Sequence, residues 1–139
     1  MSEADCREML VGGGIGRIIF VSDGGPVVVP VSFRTTRGDV VFRAFANSSI
    51  IRSLGSGEAT NGDLGHEPVG FEVDHFDDAL SEGWSVIATG QIHEVVDGER
   101  AKAEALRIEP WTASDRDCYV RMRISDVSGW HVRTLVSCE

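Results

Sequence analysis

Residues 26–49 read PVVVPVSFRTTRGDVVFRAFANSS, and this stretch decides the fold. Two runs within it, 27–33 and 40–45, are rich in β-branched and aromatic residues, which is typical of β-strands. The RGD sequence at 37–39 supplies the residues of a tight turn between them. The stretch therefore predicts a β-hairpin whose second strand leads directly into a polar segment.

That polar segment has the composition of an anion site. The second strand carries Arg43, Ser48 and Ser49 follow it, and Arg52 lies in a segment that can open a helix. Backbone N–H groups at a helix start, hydroxyl groups and guanidinium groups all suit a phosphate. We therefore predict that these four residues bind phosphate, with helix capping by the two serines as a compatible alternative.

The rest of the chain continues the strand pattern. Strands are predicted at 17–21, 69–74, 84–96, 119–124 and 129–135, and short helices at 6–10, 48–54 and 99–108. Ser2 is placed to cap the first helix and Asp97 the last, while Gly90 marks a β-bulge in the long strand. Six or seven strands in mostly antiparallel order, with two or three short helices, predict a mainly β fold closed into a barrel.

Composition limits the class of protein. The chain has 139 residues, of which 42% are apolar and 25% charged, so we predict one globular domain over residues 1–139. A net charge of −9 without a basic patch argues against a nucleic-acid partner. No run approaches the roughly 18 apolar residues of a membrane-spanning helix. The acidic start does not read as a secretory signal, so we expect no membrane partner and a cytoplasmic location.

Spacing of the chemically reactive side chains predicts neither a metal site nor a disulfide. Cys6, Cys118 and Cys138 form no close pair, and the four histidines show no metal-binding spacing. Alternation along a strand places Glu72 and Asp74 on one face, where solvation is the ordinary outcome. No catalytic acid, base or nucleophile is predicted.

Several short motifs carry a resemblance that extends over nearly the whole chain. In chain order they are GRIIFV (16–21), GPVVVPVSF (25–33), GDVVFR (38–43), FEVD (71–74), FD (76–77), GWSV (83–86) and PW (110–111). This order resembles the pyridoxamine 5'-phosphate oxidase-like family, the flavin-binding split barrels that include deazaflavin-dependent reductases. The resemblance implies a split β-barrel, an FMN-binding Greek-key antiparallel barrel that assembles as a homodimer.

The resemblance also implies which residues contact the cofactor. The ring contacts would be Pro30, Val31, Ser32 and Phe33, the phosphate contacts Arg43, Ser48 and Ser49, the contacts from the partner subunit Trp84 and Ser85, and Trp111 would close the pocket. Many relatives carry Gly-Ser-Lys where this chain has Asn-Ser-Ser at 47–49. The charge of that lysine would then have to come from Arg43 or Arg52.

The resemblance implies an oxidoreductase that uses FMN, or alternatively a deazaflavin, to transfer hydride at a site in the dimer interface. A small molecule would be the substrate. The cofactor would carry the chemistry, which is consistent with the lack of a predicted catalytic constellation. Two alternatives stay open: a non-catalytic module of the same fold that binds flavin or haem, and a dimer that has lost its ligand.

Overall fold

The strands of this chain pair into a barrel, and their side chains alternate between its inner and outer faces. The structure is a computed structural model, and it describes residues 1–22, 24–45, 68–95, 97–108 and 117–133. Its elements are α1 (Glu3–Val11), β1 (Gly14–Ser22), β2 (Gly25–Thr36), β3 (Asp39–Phe45), β4 (Val69–Asp77), β5 (Glu82–Glu94), α2 (Asp97–Ala105) and β6 (Asp117–Arg133). The predicted helix at 48–54 lies outside the described residues.

The six described strands form one closed antiparallel barrel. Their order around the ring is β1-β2-β3-β6-β5-β4, and β4 pairs with β1 to close it. The mainly β barrel predicted from the sequence is confirmed. Within the described residues, neither helix is long and apolar enough to cross a membrane.

The last strand differs from the prediction. We expected two strands, at 119–124 and 129–135, with a break in the segment between them. That prediction is wrong, since the segment pairs with β5 through Asp126, Val127 and Ser128, and β6 runs unbroken from Asp117 to Arg133. The register of the β5–β6 ladder does shift between Thr89 and Gly90, where we predicted a bulge, but the extra residue is Ser125 on β6 and not a residue of β5.

Aromatic and aliphatic side chains fill the barrel. Residues on the inward face of successive strands include Ile18, Phe20, Val31, Phe33, Phe42, Phe71, Val86 and Met122, all buried. The rings of Phe33 and Phe71 meet edge to face, with centroids 4.9 Å apart and planes at 77°. Such aromatic pairs stabilise a core beyond the area that they bury.

Helix α1 packs against the barrel core. Ser2 caps it as predicted: its hydroxyl accepts a hydrogen bond from the Asp5 amide at 3.1 Å, and the Asp5 carboxylate accepts one from the Ser2 amide at 3.2 Å. Hydrogen bonding of its carboxylate to the side chain and to the backbone amide of Ser2 lowers the pKa of Asp5. Cys6 and Leu10 on the inner side of the helix are buried in the barrel core.

Helix α2 covers the outer surface of β3 and β6. Ala103 and Ile108 pack with Val41 and Tyr119 in a second, smaller core outside the barrel. The helix begins at Asp97, which we predicted as the cap, and ends at Ala105, three residues before the predicted end. Its last turn tightens, because the amides of residues 106 and 107 each bond a carbonyl three residues back.

Candidate functional site

The outer face of β2 displays half of the residues predicted to contact a flavin ring. Pro30 is exposed and Ser32 half-buried, and both lie on the outer face. Val31 and Phe33 have their side chains in the barrel core. A ligand on the outside of the barrel would therefore meet the side chains of Pro30 and Ser32 but only the backbone of the other two.

Arg43 lies on the outer face of β3, close to a residue that follows α2. Its Nη1 donates a hydrogen bond to the Ile108 carbonyl oxygen at 3.0 Å. The guanidinium group also lies 5.4 Å from the centroid of the Tyr119 ring, within the range of a cation–π contact. These two contacts fix the direction of the positive charge.

Trp84 and Ser85 are neighbours on β5 and therefore project to opposite faces. Trp84 packs against the barrel core, whereas Ser85 is half-buried on the outer face. Ser85 pairs with Asp74 on one side and Trp130 on the other. Of the two residues, Ser85 is the one whose side chain can meet a molecule outside the barrel.

The ring order keeps the outer faces of β2 and β5 apart. Two strands separate them in either direction around the six-stranded ring. The outward side chains of β2 and β5 therefore point away from each other, and one copy of the chain does not bring them together. The predicted residues Ser48, Ser49, Arg52 and Trp111 lie outside the described residues.

An aromatic surface that the sequence did not single out lies beside Ser85. Trp130 is 60% exposed and Phe76 is 54% exposed, and Val132 is exposed next to them. Phe76 and Val132 both pair with Gly83, so these side chains form a row on the outer face of β4, β5 and β6. An exposed apolar row of this kind marks an interaction surface in soluble proteins. Only the cross-strand register reveals it, because Phe76 on β4 is distant in sequence from Trp130 and Val132 on β6.

A charged cluster links β1 to β4 on the same outer surface. Arg17 Nη1 donates to Glu72 Oε1 and to Asp74 Oδ2, both at 3.3 Å. The predicted placement of the two carboxylates on one face is confirmed, and the arginine between them is new. Burial raises the pKa of Glu72, the neighbouring Asp74 raises it further, and Arg17 opposes the change without cancelling it.

Because the pKa of Glu72 is raised, we expect the Glu72→Gln variant to gain stability relative to the parent as the pH rises. The folded chain binds the carboxyl proton of Glu72 more tightly than the unfolded chain does. Protonated Glu72 therefore stabilises the fold at a pH below its ordinary pKa, and this stabilisation is lost as the pH rises through the raised pKa. The variant does not titrate at this position. Its free energy of unfolding, relative to the parent, is expected to rise as pH increases from the ordinary glutamate pKa, about 4.3, through the raised pKa of Glu72.

Urea denaturation at a series of pH values measures this difference. Glu8→Gln, at an exposed position on α1, serves as the control for the loss of one carboxylate from the surface. If the free energy of unfolding of Glu72→Gln, relative to the parent, stays constant or falls as pH rises, the pKa of Glu72 is not raised.

The chain is similar in sequence to one protein family and in structure to several solved proteins. Residues 2–131 match the sequence profile described as pyridoxamine 5'-phosphate oxidase. The FAD binding protein of Mycobacterium smegmatis is 27% identical, with a TM-score of 0.77 over 96% of this chain and 98% of that one. An FAD-binding protein of Mesorhizobium loti shares the fold at 20% identity, with a TM-score of 0.74 over 95% and 96% of the two chains. An uncharacterised protein of Mycobacterium tuberculosis is 28% identical over 82% of this chain and 72% of its own length.

Proposed function

Because the chain belongs to the pyridoxamine 5'-phosphate oxidase family, we propose that it is a flavin-dependent oxidoreductase that binds its cofactor between two copies of itself. The observation that carries the proposal is the likeness to the FAD binding protein of Mycobacterium smegmatis, which extends over nearly all of both chains. A bound flavin would supply the hydride chemistry. FMN is our first candidate, FAD follows from the relatives, and a deazaflavin or haem is an alternative.

The outer face of β2 and β3 fits a flavin phosphate and ring. Phe33 pairs with Phe42, so the next residues along these antiparallel strands, Ser32 and Arg43, lie at neighbouring positions on the outer face. Arg43 supplies a directed positive charge for a phosphate in a chain of net charge −9. Pro30 and Ser32 are short side chains that leave the strand open to a flat ring. In this proposal Arg43 holds the phosphate and the β2 strand orients the ring.

In the proposed homodimer, the second copy provides the β5 side chain that one barrel cannot bring to the outer face of its own β2. Ser85 would reach the ring that is held on β2 of the partner, because the two faces point apart within one copy. The exposed row of Phe76, Trp130 and Val132 beside Ser85 offers apolar surface that a partner would bury. A two-fold symmetric homodimer would then contain two equivalent sites.

Flavin titration of two single variants and their mixture tests this arrangement. Arg43→Gln is expected to weaken FMN or FAD binding by about ten- to a hundredfold, since it removes a charge-assisted contact. Ser85→Glu should weaken binding comparably, because it places a carboxylate near the ring on the partner's side. Both variants should remain dimers in sedimentation equilibrium. When equal amounts are unfolded together and refolded, about a quarter of the sites should recover parental affinity, since half of the dimers are mixed and one of their two sites is intact.

Three results would contradict the proposal. One is failure of the parent chain to bind FMN, FAD or a reduced deazaflavin, and another is saturable flavin binding by a monomer. The third is a refolded mixture with no recovered sites, although both variants dimerise. Turnover is tested separately: if the flavin-loaded dimer oxidises neither reduced nicotinamides nor a reduced deazaflavin, the non-catalytic binding module replaces the oxidoreductase.

A further inference from the structure

A cavity of about 310 Å³ lies between helix α2 and the outer surface of β3 and β6. We call it the α2 cavity. Its apolar wall is formed by Val41 from β3, by Val95, and by Ala103 and Leu106 from the helix region. Val41 and Ala103 are buried. The volume is at the lower end of the roughly 300–1,000 Å³ range of small-molecule pockets, so the cavity suits a compact ligand.

The charged lining of the α2 cavity is mostly positive. Arg37, Lys102 and Arg121 line it against one carboxylate, that of Glu99. Asp39 accepts a hydrogen bond from Arg121 Nε at 2.7 Å, which fixes Arg121 in place. Arg37 and Lys102 form no ion pair with any residue that the structure describes. In a chain of net charge −9, this local excess of positive charge selects for an anion.

Arg37 occupies a backbone position that does not favour arginine. The β2–β3 hairpin turn has positive φ at both central residues, 52° at Arg37 and 83° at Gly38. Such two-residue turns prefer asparagine, aspartate or glycine at the first position, because other side chains are strained there. The turn alone therefore does not account for arginine, whereas its place in the lining of the α2 cavity gives the side chain a role.

From these observations we propose that the α2 cavity is a second ligand site, which takes a small carboxylate with an apolar body. The apolar wall would bury the body of the ligand, and Arg37 and Lys102 would bind its carboxylate. The cavity lies at the hairpin end of β3, whereas Arg43 lies near the other end of that strand. None of the residues that line the cavity is one that we assign to the proposed flavin site, so the two proposals can fail independently.

Ligand-observed fluorine NMR with para-fluorobenzoate tests the proposal. The parent chain is expected to bind this probe saturably, and the neutral amide para-fluorobenzamide should bind at least about tenfold more weakly. Lys102→Gln and Arg37→Asn should each weaken binding of the acid by about tenfold, the factor for one charge-assisted hydrogen bond. Arg37→Asn suits the turn, so loss of folding will not mimic loss of binding. The matched control is Arg133→Gln, which removes an exposed positive charge at the far end of β6.

The result that supports the proposal is a tenfold loss for both test variants with parental affinity in the control. Several results would overturn it: no binding of the acid by the parent chain, equal binding of acid and amide, or equal losses in Lys102→Gln and Arg133→Gln. Displacement of para-fluorobenzoate by saturating FMN would show that there is one site instead of two.

Discussion

Phe71→Ala is expected to lower the free energy of unfolding by about 3–5 kcal/mol, the cost of removing a large aromatic side chain from a packed core. Phe71 is fully buried and meets the edge of the Phe33 ring at 4.9 Å. It also fills the space above Gly16, where an added methyl group would overlap its ring. Urea denaturation with a linear extrapolation measures the loss.

Two matched variants test this explanation. Leu80→Ala removes a large apolar side chain from an exposed position in the turn between β4 and β5, and we expect a change of less than about 1 kcal/mol. Gly16→Ala should destabilise the parent chain but cost less in the Phe71→Ala background, because the removed ring leaves room for the methyl group. Equal costs of Gly16→Ala in both backgrounds would show that the ring does not occupy that space.

Gly90→Ala is the second substitution for which we expect a large effect, a loss of about 3 kcal/mol in the free energy of unfolding. At the bulge, a Cβ on residue 90 would overlap the backbone carbonyl oxygen of Arg123 on β6. A flexible side chain could move aside, but a backbone group in a paired strand cannot do so without breaking the ladder. Ser125, the extra residue of the bulge, donates a hydrogen bond from its hydroxyl to the Thr89 carbonyl at 2.9 Å, which ties the bulge to β5.

Gly98→Ala is the control for this substitution. It makes the same chemical change in α2, where an added Cβ would meet no atom within 4 Å. Because alanine favours a helix over glycine, the control should keep or raise stability, by up to about 1 kcal/mol. Thermal unfolding followed by circular dichroism compares the two variants. A Gly90→Ala variant as stable as the parent would mean that the bulge accommodates a side chain.

Local signals in the sequence predicted the elements whose causes are local. The capping of α1 depends on Ser2 and Asp5, three residues apart, and the hairpin turn depends on adjacent residues at 37 and 38. The predicted break at 125–128 was wrong, because the pairing of this segment with β5 is a long-range interaction. Sequence periodicity carries no information about which strand will lie opposite.

The candidate site shows the same limit. Alternation correctly predicted that Glu72 and Asp74 share a face, but the arginine between them is 55 residues away from Glu72 in sequence. The resemblance selected consecutive residues on β2 and β5, and the structure divides each set between the core and the outer face. Trp130 was missed because exposure, and not residue type, distinguishes it from a core tryptophan.

The β1–β4 ladder, which closes the barrel, is expected to form late in folding. Within the described strands, three residue pairs join β1 to β4, from Arg17 with Glu72 to Ile19 with Gly70, whereas nine pairs join β1 to β2 and nine join β4 to β5. A short ladder between distant residues gains few hydrogen bonds for a large loss of chain entropy. We therefore expect the hairpins to form first and the β1–β4 ladder to pair last. A kinetic intermediate of this chain would be an open, curved sheet with the edges of β1 and β4 unpaired.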